Sequence, residues 1–262
     1  MLIAITRAVS PSINDCELTF HARQEIDVAK AVREHQAYEE ALRELGARVI
    51  TIDAEPDLPD AVFVEDGAIV VDEVAVMTRM GAASRRRETE SLARALEAYR
   101  PLKFIEAPAT LDGGDVMLIG RTLFVGESSR TNAEGISQLR DLLAPYGYQV
   151  KGVGVTGCLH LKSGCAYIGR NSILVNRSWV DWAQLEGFDL IDVPATERTA
   201  ANALSIGDVV ITPSSFPETI ATLEARGFKV RTVDVSELQK AEGGVTCASL
   251  IFTLEPGAGR CL

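Results

Sequence analysis

Apolar positions along the chain follow two registers, short β-rich runs and longer stretches at helical spacing. The opening MLIAITRAVS reads as a first strand. Helices are expected at Val28–Leu45, Ser84–Tyr99, Thr131–Leu143 and Pro217–Arg226. In the first of these Val28, Val32, Leu42 and Leu45 share a helical stripe, Gly46 stops it, and Arg48–Ile52 follows as a strand. Other strands come in pairs. Ala61–Val64 precedes Ala68–Val71 and Val74–Thr78. Asp115–Ile119 and Thr122–Val125 are joined across Gly120-Arg121, and Cys165–Ile168 and Ser172–Val175 across Gly169-Arg170-Asn171. Val209–Thr212 leads through a proline-containing turn into the last helix.

Hairpin, helix and strand thus recur at roughly 40 to 55 residues, a spacing typical of repeat architectures. Hairpins make antiparallel pairs, so the order does not suit a doubly wound parallel sheet. An α/β architecture with radial repetition around a central channel satisfies it, and so does an α+β domain without symmetry. No linker or low-complexity segment divides the chain, and residues 1–262 are read as one domain.

Composition narrows the function classes. Hydrophobic residues make up 47% and charged residues 24%, ordinary for a soluble globular protein. No apolar run approaches the roughly 20 residues of a membrane span, and the opening apolar stretch is too short for a secretory signal, so a cytoplasmic protein without a membrane partner is expected. The net charge of −11 argues against a general nucleic-acid binder and is compatible with a cationic substrate. Cys16, Cys158, Cys165, Cys247 and Cys261 are an odd set, which points to free thiols rather than a disulfide framework. Cys158 and Cys165 flank His160, but C-x-H-x4-C is not a usual paired-ligand spacing, and no metal is expected.

Four segments carry candidate chemistry. In LPDAVFVED, Glu65 and Asp66 follow an apolar run; as strand residues they face opposite sides, so one turns inward unless the strand ends there as a solvated tip. In TLDGGDV, Asp112 precedes two glycines, which fit either a close ligand approach or a plain turn. In GCLHLKSG, His160 alternates with Leu159 and Leu161, and so faces either a pocket or a hydrogen-bonded core position. Of the other two histidines, His35 is expected on a helix surface and His21 in a polar connection. In EGGVTCASLIF, Cys247 follows a Gly-Gly turn at the start of an apolar run, as a nucleophile at a pocket or as a buried core thiol.

Taken together, LPDAVFVEDGAIV, MGAASRR, TLDGGDVMLIG, SSRTN, LHLKSG and GGVTCASLIF resemble, in order and spacing, the dimethylarginine dimethylaminohydrolase family, from about Leu18 to Phe252. The resemblance implies the pentein fold, an α/β propeller of about five pseudo-repeated ββαβ units around a central active-site channel. It implies a hydrolase cleaving N-methylated arginines to citrulline and a methylated amine without a cofactor, and is compatible with a homodimer. By the same resemblance Cys247 matches the nucleophile, His160 the general acid and base, and Asp112 the acidic partner. Asp66 matches a carboxylate on the guanidinium, with Glu65 beside it. Leu18, through its backbone, and Asp60 match contacts to the amino-acid end of the substrate, Ala241 matches a backbone contact near the nucleophile, and Arg85 and Arg130 match the grip on the α-carboxylate.

The chemistry is coherent on its own terms. A guanidinium is a planar cation whose N–H groups pair with carboxylates, and a bound cation stabilises a nearby thiolate. Two neighbouring readings stay open. Arginine, agmatine or another guanidino compound could be hydrolysed, or the amidino group transferred; arginine deiminases are longer, with an added helical domain. A non-catalytic binding module of the same fold, as in pentein translation factors, would have no need of Cys, His and Asp at matching positions.

Overall fold

The computed structural model describes residues 1–254; Cys261 lies outside them. Strand β1 (Leu2–Arg7) and strand β2 (Arg48–Ile52) are parallel and joined by helix α1 (Val28–Glu44). Asp27 caps α1 by accepting the Lys30 N–H, and Gly46, at φ +87°, takes the left-handed turn that ends it.

Four further units share one strand pattern, a hairpin followed by a strand parallel to its second member. Strands β3 (Ala68–Val70) and β4 (Ala75–Met77) form a hairpin, and helix α2 (Glu88–Leu96) leads to β5 (Leu102–Phe104), parallel to β4. The hairpin of β6 (Val116–Ile119) and β7 (Thr122–Glu127) precedes helix α3 (Ala133–Leu143) and the parallel strand β8 (Gln149–Gly154). A single-turn helix α4 (Leu161–Gly164) opens the next unit of β9 (Cys165–Tyr167), β10 (Ser172–Val175) and β11 (Asp189–Asp192). The fifth joins β12 (Leu204–Ile206), β13 (Val209–Pro213), helix α5 (Pro217–Ala225) and β14 (Lys229–Val233). After the short helix α6 (Ser236–Lys240), β15 (Leu250–Thr253) pairs antiparallel with β1 and completes the first unit from the far end of the chain.

The result is five three-stranded sheets, each with an antiparallel and a parallel pair. Five apolar clusters join them. Ile5 and Met77 share one between the first and second sheets, and Ile69 and Leu123 one between the second and third. Phe124 with Ile173 and Leu174 with Val210 carry the series on, and Ala4 with Ile211 joins the fifth sheet to the first. The repeat expectation is met, and the hairpins sit where the sequence puts them. Among the described residues no helix is long and apolar enough to cross a membrane.

Several local expectations are corrected. Ala61–Val64 is not a strand: backbone bonds from Ala61 to Leu58 and from Phe63 to Asp60 fold it into turns that lead into a 3-10 helix, Val64–Gly67. The helix expected from Ser84 is split into a 3-10 turn, Ala83–Arg85, and α2. His35 is buried on α1, 3.5 Å from Glu39, rather than on its surface.

Candidate active site

The four motif segments converge although none is a regular strand at the point that matters. Asp66 lies in the 3-10 helix and Asp112 just before a second one, Gly113–Asp115. His160 is the residue before α4, and Cys247 lies in a turn three residues before β15. These places correct the strand positions read for His160 and Cys247. Turns rather than strands let the side chains leave the sheet ends and meet.

His160 sits between two buried carboxylates. Its Nε2 is 3.1 Å from Asp112 Oδ2, and its Nδ1 is 3.8 Å from Asp66 Oδ1. Asp112 Oδ1 accepts the Gly81 N–H, and Asp66 Oδ1 accepts the Gly114 N–H. Both glycines of the LDGGD motif are explained by close approach. A Cβ on Gly114 would stand 2.6 Å from both Asp66 Oδ1 and His160 Nδ1, and one on Gly113 would stand 1.9 Å from the Glu65 carbonyl.

Charge sets the protonation states. Burial disfavours the imidazolium of His160, yet Asp66, Asp112 and Asp115 together hold its pKa up at about 9. Burial likewise opposes ionisation of Asp66, but His160 and Arg85 keep its carboxyl below the ordinary range. The Cys247 thiol is pushed up to about 12 by burial and by the negative charges of Glu65 and Asp66. At neutral pH the resting pair is therefore thiol and imidazolium.

Cys247, His160 and Asp66 line one narrow cleft with Asp60, Phe63, Arg85, Arg130, Leu159, Ala241, Glu242, Gly243 and Glu17. Arg130 is buried and its Nη1 has no protein partner, while Nη2 donates to Thr19 Oγ1 at 3.3 Å. Arg85 is committed to protein groups: Nη1 donates to Asp66 Oδ2 at 2.7 Å, and Nε and Nη2 grip the Glu88 carboxylate at 3.0 and 2.8 Å. Asp60 accepts the Glu17 N–H at 3.0 Å.

Two expected contacts lie off the cleft wall. Leu18 packs partly buried against the cluster around β1 and α1, leaving its neighbour Glu17 at the cleft. Glu65 turns away from Asp66 and pairs with Lys162 Nζ at 2.5 Å, facing a separate cavity of about 330 Å³. A third cavity of about 580 Å³ shares Leu159, Glu242 and Gly243 with the cleft and is walled by Phe20, His21, Trp179 and Phe216.

The donor atoms of Asp66, Asp112 and His160 lie within 4.8 Å of one another, a gathering that could hold a cation. The two carboxylates beside the imidazole also suit a guanidinium, whose N–H groups they can accept. Cys158, considered above as a zinc ligand, instead donates its thiol to the His160 carbonyl at 3.3 Å.

A family model described as N,N dimethylarginine dimethylhydrolase, eukaryotic, matches residues 5–253. The chain belongs to the dimethylarginine dimethylaminohydrolase family. A dimethylarginine dimethylaminohydrolase of Pseudomonas aeruginosa is 38% identical over 228 residues, covering 86% of this chain and 90% of that protein. One of Streptomyces coelicolor is 36% identical over 249 residues, covering 94% and 95%. The solved Pseudomonas aeruginosa enzyme, a cysteine-to-serine mutant complexed with citrulline, superposes with a TM-score of 0.91 at 35% identity over 95% of this chain and 98% of that one. A histidine-to-glycine dimethylarginine dimethylaminohydrolase, an adduct with S-methyl-L-thiocitrulline, gives 0.92 at 36% identity over 95% and 99%. The N-terminal domain of a cyanobacterial arginine dihydrolase shares the fold, with a TM-score of 0.86 at 18% identity over 96% and 97% of the two chains. With its five three-stranded sheets, this chain has the pentein fold that it shares with these structures.

Sequence reasoning missed Asp115, Lys162 and Glu242. Asp115 and Lys162 stand inside quoted motifs, but nothing in one sequence separates them from solvated charges. Glu242, at φ +59°, accepts the N–H groups of Thr19, Phe20 and His21 and fastens the loop after Leu18 beside the cleft.

Proposed function

We propose that this chain hydrolyses N-methylated arginines to citrulline and a methylated amine through a covalent intermediate on Cys247. The observation that carries this reading is that Cys247, His160 and Asp66, from three distant segments, line the same cleft as Arg130, whose Nη1 has no protein partner. Family membership supports the same reaction.

The guanidinium pairs with Asp66, in the field of Asp112. Its positive charge offsets the carboxylates that hold the thiol neutral, so the thiolate forms when substrate is present. His160 is already an imidazolium and does not take the thiol proton, which leaves to solvent. The thiolate attacks the central guanidinium carbon. The tetrahedral adduct collapses by breaking the C–N bond to the methylated nitrogen, and His160 protonates that amine as it departs. The neutral imidazole then takes a proton from water. The hydroxide equivalent adds to the thiouronium carbon, the C–S bond breaks as the new hydroxyl loses its proton to solvent, and citrulline and the thiolate are released.

At the other end of the substrate, Arg130 receives the α-carboxylate, with the charge of Arg85 behind it. Asp60 receives the amino group, and the Ala241 backbone meets the substrate near Cys247. Glu65, turned toward Lys162 and a separate cavity, acts on the site through its charge rather than by touching substrate.

A citrulline-formation assay with asymmetric dimethylarginine, monomethylarginine, arginine and agmatine tests this. Turnover of the methylated arginines well above arginine and agmatine is expected. Preference for agmatine or arginine, or no citrulline from any of them, overturns it.

A further inference from the structure

We propose that Asp115 is the positioning residue of this site, one buried carboxylate that sets Asp112, His160 and Arg130 in a common frame. The inference rests on the roles proposed above. Asp115 is fully buried, and its two oxygens tie together three separated segments. Oδ1 accepts the Leu161 N–H at 2.8 Å, which fixes the chain one residue after His160. Oδ2 accepts the Thr131 hydroxyl at 2.7 Å and the Ser128 hydroxyl at 2.6 Å.

Each hydroxyl passes the constraint on to a site residue. Thr131 Oγ1 accepts the Asp112 N–H at 3.1 Å, so the backbone that carries the His160 partner hangs from Asp115 through one side chain. Ser128 Oγ accepts the Arg130 N–H at 3.0 Å, so the arginine is held through the other. A carboxylate is the group that can do this, because it accepts on both oxygens while leaving each hydroxyl its lone pairs for a second donor.

Asp115 also acts through space. Burial pushes its carboxyl up to about 6, against the pull of His160 and its three donors, so above that pH it is an anion beside the imidazolium. The charged or titratable groups around His160 are then Asp112 and Asp115 from one loop, Asp66 with Arg85 behind it, and Cys247 across the cleft.

The test compares Asp115→Asn, Thr131→Val and Ser128→Ala with the wild-type chain, by dimethylarginine kinetics and by NMR titration of the His160 ring in the resting protein. Thr131→Val is expected to lower kcat roughly tenfold with KM little changed, and Ser128→Ala to raise KM several-fold with kcat retained. Asp115→Asn does both and lowers the His160 pKa by about one unit. A folded Asp115→Asn with wild-type constants and an unmoved His160 titration overturns the proposal. If that variant does not fold, the other two decide: wild-type kcat and KM in both, with only the melting temperature lowered, also overturn it. The NMR titration needs no turnover, so failure of the proposed reaction, visible as absent citrulline from the wild type, is separate from failure of this inference.

Discussion

Asp66 accepts the Arg85 guanidinium at 2.7 Å on one oxygen and faces the His160 ring, 3.8 Å away, on the other. One carboxylate therefore joins the cation that holds the fold to the imidazolium proposed to move protons. The same arrangement separates the two arginines that the motifs present as equals.

Arg85→Met leaves Asp66 and Glu88 buried without their partner. The expected loss is about 3 to 5 kcal/mol of stability, seen by denaturant unfolding. Arg130→Met, which removes a guanidinium with an unpartnered Nη1, is expected to keep a melting temperature close to wild type while KM rises roughly 10- to 100-fold. A comparable stability loss in both variants would contradict this division.

Cys247→Ser is expected to cut citrulline formation from dimethylarginine by at least roughly a thousandfold. Substrate binding should persist, because the carboxylates and Arg130 are untouched; isothermal titration with the variant checks it. Full activity would remove the nucleophile assignment.

His160 makes stability depend on pH. Its folded pKa of about 9 lies above the ordinary value of 6.5, so its contribution is complete below pH 6.5 and is lost as pH rises through 9. Up to roughly 3 kcal/mol should disappear across that window. Urea unfolding at pH 6.5 and pH 9 measures it, and His160→Asn should flatten the difference. An equal slope in wild type and variant would count against the assignment.

Glu65 and Lys162 set the field behind the thiol. Glu65→Gln removes a negative charge that raises the Cys247 pKa, so alkylation by iodoacetamide at pH 8 is expected to quicken several-fold. Lys162→Met leaves the Glu65 charge unopposed and should slow the same reaction. Identical rates in both variants would show that the pair does not act on the sulfur.

The repeating hairpin–helix–strand units and the candidate residues that line the cleft were legible in the sequence, for physical reasons. Period-two and helical stripes mark which face of each element is buried, and Gly120, Asn171 and Gly46 mark turns by chemistry that is local. The motifs around Asp66, Asp112, His160 and Cys247 gave the candidate chemistry for the same reason, since each is a short run of reactive and turn-forming residues. What one sequence could not decide is direction. Whether Glu65 or Asp66 faces the cleft follows from a 3-10 turn where alternation suggested a strand. Arg85 serves Asp66 and Glu88, while Arg130 keeps a donor free, because α2 and the turn before it deliver a carboxylate to one and not to the other. Asp115 looks like any acid before a strand until Ser128, Thr131 and the Leu161 N–H arrive from two other segments. Local pattern fixes the elements and the chemistry on offer; only the meeting of distant segments fixes each charge's partner, and in a buried site the partner determines what the charge does.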